Sequence, residues 1–230
     1  GISGGRLNVA VISAGDYFFP RLLAEFMNRH ESVTLNLAVH NREELLHQLA
    51  GNLTDLAVMV RPPEGMDTIA EAFAPHPYVI VAAPNHPLVR QRNIPLADLA
   101  EEAFVSREKG SDTWNSMQEG FAGRLSNLRI AMEIKSTETI KQAVIANMGI
   151  AFLSASTIEI ELAVGRLVVL PVAGTPVMRQ WHLVRRAEKR QLPLAEAFRD
   201  FLCGEGAVLM DEQGIESNAT SGNPVQSRKK

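Results

Sequence analysis

The segment with the clearest chemical potential begins at Lys135, where a Ser, a Thr and a Glu precede an apolar run. The hydroxyl of Ser136 can accept a hydrogen bond from a free backbone N–H one turn later, which predicts the start of a helix. The free N–H groups of Ser136, Thr137 and Glu138, next to Lys135, could hold a small anion. The alternative is that Ser136 only caps the helix and that the loop binds nothing.

Further polar residues follow predicted strands and would meet at one edge of a sheet. In open α/β sheets the carboxyl ends of the strands face the ligand crevice. Arginine side chains and helix starts dominate this set, so the expected ligand is a small anion. The alternative for each arginine is a solvated loop residue. Besides the three residues at the helix start, the set comprises Ser13, Ala14, Gly15, Asn41, Arg61, Ser106 and Arg107.

No pattern typical of catalysis or metal binding is present. The six histidines show no short metal-ligand spacing, and Cys203 is the single cysteine. Gly1 to Gly5 match the letters of the G-x-S-x-G motif, but no strand precedes them, so we interpret the match as chance. There is no Walker loop and no G-x-G-x-x-G motif. We therefore expect neither an enzyme nor a resident metal or cofactor.

The elements that would position these residues form an α/β pattern. Asn41, with Glu44 three residues later, is a variant capping box at the start of a helix. The order β-α-β-α-β predicts a parallel, doubly wound sheet. Hydrophobic periodicity predicts strands at 6–12, 33–39 and 55–60, with helices at 20–30 and 41–51 between them.

A second unit of the same kind follows. Ile140, Val144, Ile145 and Met148 form the predicted buried face of the helix that Ser136 starts, and Gly149 would end it in the left-handed conformation. Two α/β units of this size predict two lobes with a cleft between them. The expected strands lie at 69–73 (an edge strand), 78–83, 103–105, 128–134, 150–153, 167–172 and 180–185, and the helices at 113–121, 136–148, 158–164 and 194–202.

Composition narrows the class of protein. The 230 residues are 46% hydrophobic and 21% charged, which is ordinary for a soluble globular chain. The net charge of −3, without a basic cluster before the last residues, argues against direct nucleic-acid binding by this segment. The absence of long apolar runs and of a signal peptide predicts a cytoplasmic location. The initial Gly predicts a cut or processed chain, and residues 205–230 are expected to be disordered.

A series of motifs follows along the chain in a fixed order: GRLNVAVIS, the LxxFxxxH pattern of Leu22 to His30, VTLNLAVHNREELLHQL, DLAV, NHPL, STETIKQAVIANMGIAFLS, GRLVVLPV and FRDFL. Together these motifs resemble the effector-binding domains of LysR-type transcriptional regulators. The resemblance covers roughly residues 4–204 and is strengthened by the order of the motifs. Within the family, NREELL, NLTDLAVMVRPP, REKGSDTWNSMQEGF and STETIKQAV are similar to the Calvin-cycle operon regulators of autotrophic bacteria.

This resemblance implies a two-lobed fold like the type II periplasmic binding proteins, in which each lobe is a doubly wound, mostly parallel sheet flanked by helices. Regulatory lobe I would hold residues 1–79 and 181–204, and regulatory lobe II residues 80–180. Family effector contacts would fall on residues 13–15, on Arg61, on Ser106-Arg107 and on Ser136-Thr137. These positions coincide with the cleft residues chosen above.

The resemblance also implies a role. DNA binding would belong to an N-terminal winged helix-turn-helix that is absent from this chain. The effector would be a phosphometabolite such as ribulose bisphosphate or phosphoenolpyruvate, or a nucleotide such as NADPH or ATP, and the target genes would be those of carbon fixation. The domain would form a homodimer or tetramer, with the helix from Pro20 in the contact, and RNA polymerase would be a further partner.

Two alternatives from other classes remain at this point. A solute-binding protein of a transport system would share the fold but would need a signal peptide or lipid anchor. An enzyme on the same fold would need a catalytic constellation, which the sequence does not contain. Fold alone does not decide between these functions.

Overall fold

The structure, a computed structural model, describes residues 4–125 and 127–212. Its first half alternates strands and helices: β1 (Gly5–Ile12), α1 (Phe19–Arg29), β2 (Val33–His40), α2 (Arg42–Ala50), β3 (Leu56–Met59) and the long β4 (Thr68–Ala82). The second half consists of β5 (Ala103–Ser106), α3 (Asp112–Gly120), β6 (Arg129–Glu133), α4 (Thr137–Ile145), β7 (Ala151–Ser154), α5 (Glu159–Ala163), β8 (Val168–Val169), β9 (Val177–Arg186) and α6 (Pro193–Glu212). Short 3-10 helices include Ser13–Tyr17, directly after β1, and Ala155–Thr157, directly after β7.

The main sheet has the strand order β2-β1-β3-β9-β4-β7, with β8 beside β4, and β5 and β6 form a separate pair. β1 pairs in parallel with β2 and β3, as the β-α-β-α-β pattern predicts. β9 runs antiparallel to both β3 and β4, because it returns along the sheet from the other end of the molecule. The predicted α/β architecture is confirmed, with a sheet that is mixed.

Buried apolar residues divide into separate cores along the chain. The first core is built from residues 7–74 and 181–210, and includes Phe18, Phe26 and Phe198. Two further clusters, built from residues 78–177, pack on the strands of the other half and are called the second core here. β4 and β9 run from one core to the other and connect them. A cleft between the cores would therefore lie above these two strands.

β4 is one strand of 15 residues, where the sequence predicts two separate strands at 69–73 and 78–83. Pro75 and Pro77 lie between the two predicted strands, and proline cannot donate a ladder hydrogen bond. In the structure both prolines pair with β9, opposite Gln180 and Met178, and a register shift lies just before them, between Ala72 and Ala74. The shifted register accommodates the two prolines, and the pairing of β4 with β9 continues through them.

α4 begins as predicted and ends differently. The Ser136 hydroxyl accepts from the Thr139 N–H at 3.2 Å, and Ile140 and Val144 are fully buried, whereas Met148 is 43% exposed. The left-handed residue after the helix is Asn147, with φ 62°, not Gly149. Gly149 is required for a close approach instead, because a Cβ there would lie 2.5 Å from the Ala103 carbonyl oxygen.

The closing helix is longer than the predicted 194–202. α6 runs to Glu212 through Gly204 and Gly206, so the expectation of disorder from residue 205 is wrong for residues 205–212. Met210 is buried in the first core, and a Cβ on Gly206 would lie 3.2 Å from Leu202 and 3.3 Å from Phe73. Close packing therefore outweighs the weak helix propensity of glycine. Residues 213–230 lie outside the described residues.

Candidate anion-binding site between the cores

Arg107 is the buried cation on the second-core side of the cleft. It follows β5 directly and is 5% exposed, so the alternative of a solvated loop residue is wrong. Its Nε and Nη2 donate to Glu108 Oε1 at 2.8 and 2.7 Å, and its Nη1 donates to Thr137 Oγ1 at 3.3 Å. A guanidinium has five N–H donors, so these contacts leave donor capacity for a further acceptor.

Two helix starts flank this guanidinium. Ser136 caps α4, and the next residue, Thr137, is the one that Arg107 contacts. Ser111 caps α3 by accepting from the Trp114 N–H at 3.0 Å, and Thr113 in the first turn lines the same cavity as Arg107. The positive ends of two helix dipoles therefore lie on the side of the cleft that carries the buried arginine.

The cavity beside Arg107 has a volume of about 10 Å³. That volume corresponds to roughly one water molecule, so the cavity would have to widen before an anionic metabolite could enter, and all of its lining residues belong to the second core. The polar lining consists of Ser106, Arg107 and Thr113, and the apolar lining of Phe104, Val105, Trp114, Met117 and Phe152.

Asp112 joins the second core to the first. Arg42 Nη1 donates to Asp112 Oδ1 at 2.7 Å and to the Arg61 carbonyl at 2.5 Å, and the Val60 N–H donates to Asp112 Oδ2 at 3.2 Å. Burial raises the pKa of Asp112 above its ordinary value, while the charge of Arg42 acts in the opposite direction. The Arg42 guanidinium and the Val60 N–H of the first core are therefore already hydrogen-bonded to the Asp112 carboxylate of the second core.

A second bridge joins the cores at Tyr17, the last residue of the 3-10 helix after β1. The Tyr17 hydroxyl donates to Glu138 Oε1, and the ammonium of Lys141 lies 4.8 Å from the Tyr17 ring centroid. Lys141 is 2% exposed and also contacts Glu138 at 2.7 Å, Glu161 at 2.5 Å and the Thr157 carbonyl at 2.8 Å. With two carboxylates around one ammonium, this group closes the cleft and does not attract an anion.

Arg61 lies in a different place from Arg107. It lines a groove of about 320 Å³ together with Glu119, Arg179 and His182. Glu119 bridges the two arginines, at 3.2 Å from Arg61 Nη1 and 2.7 Å from Arg179 Nη2. The predicted anion site is therefore spread over two regions of the inter-core surface.

The structure brings together some of the predicted residues and separates others. Ser106, Arg107 and Thr137 adjoin one another, and the turn of Ser13, Ala14 and Gly15 packs against the 3-10 helix Ala155–Thr157. Gly15 is required there, because a Cβ would lie 2.3 Å from Val11. Asn41 is confirmed as a helix cap, accepting from the Glu44 N–H at 2.9 Å, and the side chains of Ser136 and Glu138 are exposed.

β4 and β9 lie beneath the cleft and carry a cluster of aromatic rings that sequence reasoning missed. His76 stacks on Trp181 at 4.1 Å and on Tyr78 at 4.4 Å between ring centroids, and its Nε2 lies 2.6 Å from Ser154 Oγ. Burial lowers the pKa of His76 to about 3, so its ring is neutral at physiological pH. The available signal was the tyrosine that opens the otherwise apolar strand YVIVAA.

Among residues 4–125 and 127–212, no group of three or more His, Cys, Asp and Glu side chains could hold a metal ion. In the same part of the chain, no helix is long and apolar enough to cross a membrane.

Comparison with known proteins places this geometry in a family. Residues 2–206 match the family described as the LysR substrate binding domain. The RuBisCO operon transcriptional regulator of Allochromatium vinosum is 46% identical over 90% of this chain and 68% of its own length. The regulator CbbR of Sinorhizobium medicae is 42% identical over 90% of this chain and 66% of its own. The chain thus spans about two thirds of these curated relatives.

Solved structures agree with the sequence matches. The regulatory domain of CcmR from Synechocystis PCC6803, solved in complex with 2-PG, superposes with a TM-score of 0.82 at 37% identity, covering 87% of this chain and 96% of that one. The effector-binding domain of QuiR in complex with shikimate has a TM-score of 0.78 at 22% identity, covers 89% of this chain and 98% of that one, and shows the fold alone. The relatives are transcriptional regulators, which confirms the expectation that the chain is not an enzyme. The chain belongs to the LysR family of transcriptional regulators and corresponds to the family's effector-binding domain, which has a two-lobed, periplasmic-binding-protein-like fold.

Proposed function

We propose that this domain senses a small anionic metabolite in the cleft between the two cores and thereby controls transcription of carbon-fixation genes. The single observation that carries the proposal is the buried guanidinium of Arg107, with N–H donors left over and two helix starts beside it. The names of the chain's relatives, among them RuBisCO operon regulator and CbbR, support carbon-fixation genes as the proposed targets.

The effector class that fits Arg107 best is a phosphorylated metabolite. Guanidinium and phosphate or carboxylate groups form paired, charge-assisted hydrogen bonds, and free helix N–H groups favour the same anions. The ligand 2-PG of the CcmR domain, 2-phosphoglycolate, belongs to this class. We add it to the candidates ribulose bisphosphate, phosphoenolpyruvate, NADPH and ATP.

Binding would act by changing the distance between the cores. We propose that the cores are the two regulatory lobes, residues 1–79 with 181–204 and residues 80–180, and that the Asp112 and Tyr17 bridges hold the closed arrangement. An anion that binds one arrangement 100-fold more tightly would bias the equilibrium by roughly 2.7 kcal/mol. The remaining proposed effector contacts are residues 13–15, Asn41, Arg61 and residues 136–138.

In the whole protein, we assign DNA binding to a winged helix-turn-helix outside residues 1–230. A homodimer or tetramer in the cytoplasm would carry the change in the cleft to that module and to RNA polymerase. The alternative of a transport solute-binding protein is not favoured, because the relatives over 90% of the chain are named as transcriptional regulators.

A thermal-shift screen tests the proposal directly. A ligand at 100 times its dissociation constant adds about 2.7 kcal/mol, or about 5–10 °C for a domain of this size. We expect such a shift with at least one phosphometabolite, its loss in Arg107→Met, and its retention in the control Arg92→Ala, an exposed arginine of the second half. A shift that persists in Arg107→Met would contradict the assigned site.

A further inference from the structure

Tyr78 carries a buried hydroxyl that the fold does not use. The residue is 0% exposed, and its hydroxyl forms no hydrogen bond with any described residue. Leaving a buried polar group unpaired lowers stability, and phenylalanine at this position would avoid that loss. A bound ligand that accepts a hydrogen bond from this buried hydroxyl would explain why the position carries tyrosine.

The Tyr78 ring is held firmly in place. It stacks on Phe152 at 5.0 Å with an interplanar angle of 6°, and His76 lies against it at 4.4 Å. Its backbone is paired on both sides, with Val177 of β9 and Ser154 of β7. Because Tyr78 lies where β4 enters the second core, its hydroxyl keeps its position relative to that core when the cores separate.

The surroundings of the hydroxyl are those of the candidate anion site. Burial raises the pKa of Tyr78, and the Asp112 carboxylate raises it further, so the phenol remains a hydrogen-bond donor at neutral pH. Ser116, Thr113 and Arg107 each lie close enough to lower the pKa of the hydroxyl, although none of these contacts has the geometry of a regular hydrogen bond. Phe152, on which the ring stacks, lines the cavity beside Arg107.

We propose that the Tyr78 hydroxyl is a ligand contact, which selects anions that carry a second oxygen acceptor beside the group bound by Arg107. The inference rests on the proposed function and adds a specificity residue to it. An ester such as 2-phosphoglycolate has a carboxylate for this second position, whereas inorganic phosphate occupies the Arg107 position alone.

The test is calorimetry on the wild-type chain and Tyr78→Phe, with 2-phosphoglycolate, phosphoenolpyruvate and inorganic phosphate as probes. A hydrogen bond to a charged group corresponds to about tenfold or more in affinity. We expect Tyr78→Phe to lose about that factor for the two carboxylated esters and to keep its affinity for inorganic phosphate. Equal ester binding by both proteins, or an equal loss for all three probes, would overturn the inference alone.

Thermal unfolding without ligand provides a second readout. Tyr78→Phe should melt at the wild-type temperature or about 2–4 °C above it, since an unpaired polar group is removed. Tyr17→Phe makes the same change where the hydroxyl has a partner, Glu138, and should melt lower than wild type. A marked fall in Tyr78→Phe would mean that the fold itself uses the hydroxyl, which contradicts the inference. A wild-type chain that binds none of the probes would overturn the proposed function and the inference together.

Discussion

The two sides of the cleft carry similar charges and use them differently. On the first-core side, Arg42 and the Val60 N–H already hold the carboxylate of Asp112, which comes from the opposite side. On the second-core side, the partners of Arg107 among the described residues are the neighbouring Glu108 and Thr137. From this difference we propose that the second core provides the affinity for an effector, while the first core provides the contacts that keep the cleft closed.

The largest expected effect follows from removing Arg107. In a Glu108→Gln background, which avoids leaving an unpaired buried carboxylate, Arg107→Met should lower effector affinity about 100-fold, since two charge-assisted hydrogen bonds are lost. Calorimetry against Glu108→Gln alone isolates the arginine. A loss of the same size in Arg42→Met would break the comparison, because both sides would then bind the ligand.

The bridge from Asp112 should matter chiefly for stability. Asp112→Asn leaves the buried Arg42 without its counter-charge and should lower the free energy of unfolding by about 2 kcal/mol in urea titrations. A double-mutant cycle with Arg42→Met should give a coupling energy of about 1 kcal/mol or more. Additive effects of the two substitutions would show that the bridge does not hold the cores together.

The stability of the domain should depend on pH through His76, which lies on β4. Its folded pKa of about 3 lies below the ordinary 6.5, so the unfolded chain binds more protons between these values and stability falls as the pH falls. From pH 6.5 to pH 5.5 this one group should remove roughly 1 kcal/mol. His76→Gln, which keeps an N–H for Ser154, should reduce that slope in unfolding curves, and an unchanged slope would contradict the assignment.

The smallest effect is expected at Arg61. Its side chain is half-exposed and shares Glu119 with Arg179, so Arg61→Ala should change stability by less than about 1 kcal/mol. We expect effector affinity to fall by less than about tenfold, because Arg61 would act at the edge of the site through long-range charge. Calorimetry decides this prediction, and unchanged affinity would remove Arg61 from the set of effector contacts.

Local signals in the sequence were sufficient for most of the fold. The caps at Asn41 and Ser136 and the strands β1, β2 and β3 follow from spacing alone and are confirmed. Prolines in β4 and glycines in α6 produced errors, because packing against β9 and against Phe73 outweighs local propensity.

The site was only partly accessible to such reasoning. Arg107 follows directly after a strand, and the rule that ligands bind at strand ends selects it. The bridge from Asp112 to Arg42 joins residues 70 positions apart, and that to Val60 joins residues 52 apart, so no local pattern indicates them. The unused hydroxyl of Tyr78 becomes visible only when every buried polar atom has been matched with its partners.

The division of the chain between the cores sets an order for folding during synthesis. The second core is continuous, residues 78–177, and its apolar residues are made before those that β9, beyond Val177, and α6 contribute to the first core. The first core needs residues 181–210, which are made after the whole of the second core. Domains generally fold as units during translation. The second core, which carries Arg107, can therefore fold while the nascent chain is still attached to the ribosome. The first core is completed only after residue 210 has emerged.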